Sequence, residues 1–335
     1  MMDLKANFSF TPLPAIAQPV HLPFPAILDP LGPLKDLPGT WSGTGFNTIW
    51  RPFFAKPPAK EDEFLELNLT TETLEFTAIS GQIPNRGFFQ PDINMFGLTY
   101  LQQISDSVVG AGLHIEPGIW ATVPQTSSPA EPPTVVRMAS IPHGTTILAQ
   151  GQAHAGQGAP MFPAININPI PPRGPAVPFE QQNLSHSTPF RSPPANIVGI
   201  TQAMVDNPNS VLAAAIHGQT ITAVTILEVS TAAPAPITGG GTSNTSFLVG
   251  GAQGPNADAT KVTSTFWIET VKGTGGAPDF QQLQYSQTVM LKFDDGILWP
   301  HVTVGTLRKH VQVAVPPTFV DPHIPVDVLA RIRAG

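Results

Sequence analysis

Proline and glycine interrupt this chain more often than a long helix tolerates, and they constrain its fold more than any other feature. The sequence has 39 prolines and 29 glycines in 335 residues, so about a fifth of the positions turn or break the backbone. No collagen-like glycine period accompanies them. Disorder throughout requires low hydrophobicity together with high charge, whereas here 41% of residues are hydrophobic and only 12% are charged. The expectation is a mainly β globular protein with long proline-containing loops and tails.

Short runs of β type, separated by turn residues, begin at Trp41. The segment Phe64–Phe76 alternates as Leu65, Leu67 and Leu69, which reads as a half-buried strand. Further strands are expected at Phe96–Ile104, Leu113–Val123, Thr134–Ser140, Thr145–Gln152, Gln219–Ser230, Val262–Lys272, Gln281–Phe293 and His301–Lys309. The sequence Ile141-Pro142-His143-Gly144 reads as a hairpin turn, and so does Asp294-Asp295-Gly296. Asn207-Pro208 opens one short helix, with Asn as cap and Pro in the first turn, running to about His217.

The predicted organisation is a Pro-rich arm over residues 1–36, one β-barrel or β-sandwich domain with elaborations over 37–310, and a tail over 311–335. Two stretches break the rhythm of strands: 154–197 reads as a long insertion or lid, and 233–258 as a flexible loop. The net charge of −7, without a basic cluster, argues against nucleic acid as a partner. The absence of cysteine removes disulfides, thiolate metal sites and cysteine nucleophiles. Neither a secretory leader nor a membrane-spanning run is read from the sequence, so a cytoplasmic protein is the expectation. No G-x-S-x-G elbow supports a serine hydrolase.

The segment Gly39-Thr-Trp41-Ser-Gly43-Thr-Gly45 places Trp41, Gly43 and Gly45 on one strand face. The indole can plug a barrel end, and the glycines allow either a sharp bend or a ligand close to the backbone. His114 and Glu116, two apart, share a face and could form a hydrogen-bonded pair at the rim or orient a ligand. His143 sits in its turn as a solvated residue or a contact to a ligand. His217 follows a helix end and is explained by capping. Arg86 lies in a turn-like segment and is a partner for an acidic group only if it faces a pocket.

Five elements in order resemble the nitrobindin-like haem-binding β-barrels, relatives of the fatty-acid-binding-type (lipocalin-like) barrels. They are the G-x-W-x-G-x-G segment, Phe96–Ile104, the L-H-x-E-x-G-x-W run at Leu113–Trp120, the hairpin at Met138–Gly151, and the closing strands Tyr285–Met290 and Pro300–Lys309. The resemblance spans roughly residues 37–152 and 258–310, in a chain about twice the length of the compact members. It implies an antiparallel barrel with b-type haem in its mouth and one axial histidine on the last strand. His301 is the matching position and the expected iron ligand, with Trp41, Gly43, Gly45, His114 and His143 as further candidate haem contacts. The resemblance also implies chemistry on peroxynitrite, nitric oxide or peroxide. The alternatives are a non-catalytic carrier of a small apolar ligand such as a fatty acid or terpenoid, and an assembly module whose Pro-rich arms build a homo-oligomer.

Overall fold

The computed structural model describes residues 30–53, 63–232, 240–294 and 296–310. The predicted C-terminal tail and all but the last residues of the N-terminal arm lie outside them. The first half of the chain forms β1 (Gly39–Pro52), β2 (Glu63–Ala78), the short β3 (Ile83–Asn85), β4 (Ile93–Asp106) and β5 (Gly112–Val123). A small hairpin, β6 (Thr126–Ser127) with β7 (Ala130–Glu131), leads to β8 (Thr134–Ile141) and β9 (Thr145–Gly156). The second half contributes β10 (Ile221–Ser230), β11 (Gly241–Asn244), β12 (Asp258–Val271), β13 (Phe280–Asp294) and β14 (Ile297–Lys309).

Ten of these strands close into one antiparallel barrel in the order β10-β12-β13-β14-β1-β2-β4-β5-β8-β9, with β9 pairing back onto β10. Closure leaves the wall no free edge, which is how an all-β chain avoids edge-to-edge pairing. β11 continues the β9 edge beyond β10, and β3 pairs with β4. Where one short helix was expected the described residues form three: α1 (Gln202–Asp206), α2 (Ser210–Ala215) and α3 (Ser246–Val249). The predicted cap, Asn207, instead holds a turn before α2. Its Oδ1 accepts the Ile165 and Asn209 N–H groups, at 3.2 Å each, and α2 begins only at Ser210. The other two helices are too short to leave a periodic trace in the sequence.

One end of the barrel is plugged from within. Leu34 and Leu37, in and just after a 3-10 turn at Gly32–Leu34, are fully buried among Trp41, Leu74, Phe76, Trp120 and Leu307. The Trp41 indole N–H donates to the Leu37 carbonyl at 2.8 Å. The last described residues of the predicted arm therefore belong to the barrel floor.

A second apolar cluster lies against the outside of the wall. Phe46, Trp50, Leu65, Leu67, Trp267, Val302 and Val304 pack there under Ile167, Ile200, Val205 and Leu212 of the segment between β9 and β10. That segment, most of it expected as a long insertion or lid over 154–197, is a strap on the barrel flank. Leu65 bonds through its backbone to Phe190 and Ser192, Leu298 to Ile170, and the Trp50 indole to the Ile167 carbonyl. The strap also accounts for β2. Leu65 and Leu67 face outward beneath it, while Thr70, Glu72, Leu74 and Phe76 continue the alternation on the inner side.

Candidate functional site

At the end opposite the plug, eight residues along β1 from Trp41, the barrel encloses a cavity of about 330 Å³. Aliphatic side chains make most of its wall, among them Ile49, Ile104, Ile141, Val262, Val289 and Leu291. Leu248 of α3 and Ala257 reach it from the 233–258 loop. That loop is tied to the hairpin at Ile141–Gly144: the Thr245 N–H donates to the Gly144 carbonyl at 2.8 Å, and Thr145 and Asn244 bond through their side chains at 2.7 Å.

His114, His143 and His301 all line this cavity, from β5, the β8–β9 turn and β14. The structure thus brings together three side chains nearly 190 residues apart in sequence. Trp41, Gly43 and Gly45 do not line it. Trp41 is in the floor, and the two glycines lie where β1 meets β14, an alanine Cβ at Gly43 falling 2.0 Å from the Thr306 carbonyl oxygen. Gly45 and its register partner Gly305 make room for a buried pair: a Cβ on Gly45 would come within 2.6 Å of Glu72 Oε1, and one on Gly305 within 2.5 Å of the Tyr285 ring. Arg86 forms an exposed ion pair with Asp92, away from the cavity wall. His217 follows α2 and is exposed.

His301 is held by a chain of amides whose direction can be read from one end. Asp106 Oδ1 accepts the Val108 and Val109 N–H groups at 2.7 and 2.9 Å, and its Oδ2 accepts from Asn68 Nδ2 at 2.8 Å. Because a carboxylate only accepts, Asn68 turns its Oδ1 to Asn47 Nδ2 at 3.0 Å. Asn47 Oδ1 then accepts from Thr303 at 2.9 Å and from His301 Nε2 at 2.8 Å. The chain assigns the proton to Nε2 and leaves the lone pair on Nδ1. Burial, followed by the nearby charges of His114 and His143, lowers the His301 pKa to about 3, so the ring is neutral.

His114 is held by a different device. Its Nε2 lies 3.2 Å from Glu116 Oε2, and Glu116 Oε1 accepts from Tyr100 and Arg137. Burial works to raise the Glu116 pKa, but the Arg137 charge, with bonds from His114 and Tyr100, outweighs it and holds the carboxyl at about 2. Arg137 is itself buried. It donates to Ser264 at 2.9 Å and Gln287 at 2.6 Å, and its guanidinium lies over the Phe266 ring at 5.2 Å. His143 places its ring 5.5 Å from that of His114, and burial lowers its pKa.

Glu72 is another buried carboxyl, bonded by Tyr285 at 2.5 Å and Thr70 at 2.9 Å. Burial pushes its pKa up to about 7 despite these bonds. The fold therefore favours the acid form. Between pH 4.5 and 7 the folded chain keeps a proton that the unfolded chain has released, so the stability this group contributes is full below about pH 4.5 and is lost as pH rises through 7. Glu72→Gln keeps an acceptor for Tyr285 without the titration. Urea denaturation should show the variant losing about 2–3 kcal/mol less than wild type between pH 4.5 and pH 8. Equal losses in the two proteins would refute this.

Sequence reasoning missed Asn47, Asn68, Glu72, Arg137 and Gln287. Arg137 alone left a trace, as a single charge inside the apolar run Thr134-Val-Val-Arg-Met-Ala. Among the described residues no three or more His, Asp or Glu side chains are grouped to hold a metal ion by themselves. No helix among those residues is long and apolar enough to cross a membrane.

The likeness between this chain and known proteins is confined to structure. Comparisons with protein-family models and with the curated proteins give no match. Among solved structures, that of Rv2717c from M. tuberculosis is similar over 84% of this chain and 98% of its own, at 14% identity and a TM-score of 0.39. What the chain shows by itself is a closed ten-strand antiparallel barrel.

Proposed function

We propose that the barrel mouth binds one b-type haem, with His301 as its single axial ligand. The observation that carries this reading is the state of His301: a neutral imidazole on a rigid strand, lining a largely aliphatic cavity, with one nitrogen bonded to Asn47 and the other left with its lone pair. Iron-binding histidines are held in this way, by an acceptor that takes the N–H of the ring nitrogen away from the metal. Asn47 orients the ring, the Asn68–Asp106 chain orients Asn47, and the aliphatic wall limits water. The bound iron would supply redox and ligand-exchange chemistry, and peroxynitrite, nitric oxide and peroxide are the substrates we propose for it.

Titration of the haem-free protein with ferric haem tests this reading. A sharp, stoichiometric Soret shift is expected for wild type and is lost in His301→Ala. Asn47→Leu should weaken binding about 10- to 100-fold, the scale of loss when the hydrogen-bond partner of a metal-binding histidine is removed. A shift that persists in His301→Ala would move the ligand to His114 or His143.

One observation favours a second reading, a carrier of a small apolar ligand. The wall is mainly aliphatic, and no lysine or arginine among the described residues lines the cavity to pair with haem propionates. A volume of about 330 Å³ suits one small molecule. Absence of a Soret shift in both wild type and His301→Ala would select this reading.

A further inference from the structure

The three imidazoles share a property that iron ligation at His301 does not use. Each directs a ring N–H to the protein. His301 donates to Asn47, and His143 leans on the Leu113 carbonyl. The case for His114 is the strongest. Glu116 has given Oε1 to Tyr100 and Arg137 and is ionised, so its Oε2 can only accept, and His114 must offer Nε2–H. In its neutral form an imidazole that donates from one nitrogen accepts at the other, and that form is the one this inference concerns. Both rings near the mouth therefore present acceptors. No lysine or arginine among the described residues lines the cavity, and Glu66, which does, is paired with Arg51 at 3.0 Å.

We infer that this cavity takes a neutral, mainly apolar molecule carrying a hydroxyl, or an equivalent O–H or N–H donor, and that His114 accepts its hydrogen bond. Glu116, locked by Arg137, is the positioning residue that fixes which nitrogen of His114 is free. The inference rests on the cavity being a ligand site, and not on iron.

A matched pair of probes separates donor recognition from apolar burial. 1-Naphthol and 1-methoxynaphthalene bury similar rings, but only the first donates. Calorimetry on the haem-free full chain should find the naphthol bound about tenfold more tightly, the worth of one buried hydrogen bond of roughly 1.4 kcal/mol. In His114→Phe, which keeps a ring in place, the preference should disappear while the ether binds as before. His114→Gln, which restores an acceptor, should recover part of it, with near-UV circular dichroism confirming that both variants fold. Equal binding of the two probes to wild type, or a preference that survives His114→Phe, would overturn the inference while leaving the ligand cavity intact. Failure of both probes to bind would overturn it together with the carrier reading, whereas haem ligation stands or falls on the separate Soret titration.

Discussion

Arg137→Met will cost this barrel about 3–5 kcal/mol, the scale on which removing one partner exposes an uncompensated buried charge. Arg137 and Glu116 are both fully buried, and the guanidinium has Tyr100, Ser264 and Gln287 as additional acceptors. Methionine fills much of the space above the Phe266 and Trp120 rings, so lost packing is the smaller part of the effect. What remains is an ionised Glu116 without its cation. Adding Glu116→Gln should recover most of the loss, since the pair as a whole contributes far less than either member left alone. The sign with pH follows. In wild type the carboxyl is held at about 2, so its contribution is present above pH 4.5 and is lost only as pH falls toward 2. In the single variant burial acts unopposed by Arg137, raising that pKa, and the deficit should shrink as pH falls below 5. Urea denaturation of the two variants at pH 7 and pH 4.5 decides the matter. A loss below about 1 kcal/mol at pH 7 would show that the pair is not a coupled unit.

The wall of the barrel was legible because its strands obey two simple rules. Alternation marks where each runs, and glycine or proline marks where it stops, so expected spans such as Leu113–Val123 and Thr134–Ser140 fall on β5 and β8 within a residue. The inner and outer faces were not legible in the same way. In β2, alternation identifies a strand, but Leu65 and Leu67 turn out to be its outer face, buried only because the strap covers it. Nothing local to β2 announces a cover that arrives from residues 157–220. The strap itself has no period to read; its contacts are backbone bonds at Ile170, Phe190 and Ser192 and scattered side chains such as Phe179.

The site divides along the same line. Histidines are conspicuous in a sequence with so few titratable residues, and the resemblance singled out three that the fold gathers around one cavity. Their partners were invisible. Asn47, Asn68 and Asp106 are ordinary residues whose roles depend on registers between β1, β2 and β4, and only once those pairings are known does the direction of the amide chain fix the His301 tautomer.

The G-x-W-x-G-x-G segment was open to two readings, ligand contact or strand corner, and Gly43→Ala distinguishes them. A Cβ there would lie 2.0 Å from the Thr306 oxygen, 2.7 Å from the Leu307 Cα and 2.9 Å from the Thr306 carbonyl carbon. All three atoms are backbone of β14, the hydrogen-bonded neighbour, so no rotamer change relieves the clash and the two strands must separate. In a closed barrel that displacement has no free edge to dissipate at, because β1 and β14 are also pinned by β2 and β13. The expected loss is about 3 kcal/mol, at the upper end of ordinary overpacking, read as a fall in thermal midpoint. Gly112→Ala is the control: its added Cβ meets nothing within 4 Å and should leave the midpoint unchanged. Gly43 is six residues along β1 from Ile49 at the cavity wall, so the folded fraction of Gly43→Ala should bind haem or naphthol with wild-type affinity. A variant with an unchanged midpoint but weakened binding would give the motif back to the ligand. A destabilised variant with intact binding would make it a device for closing the barrel, with the tryptophan sealing the floor and the glycines letting β1 and β14 meet.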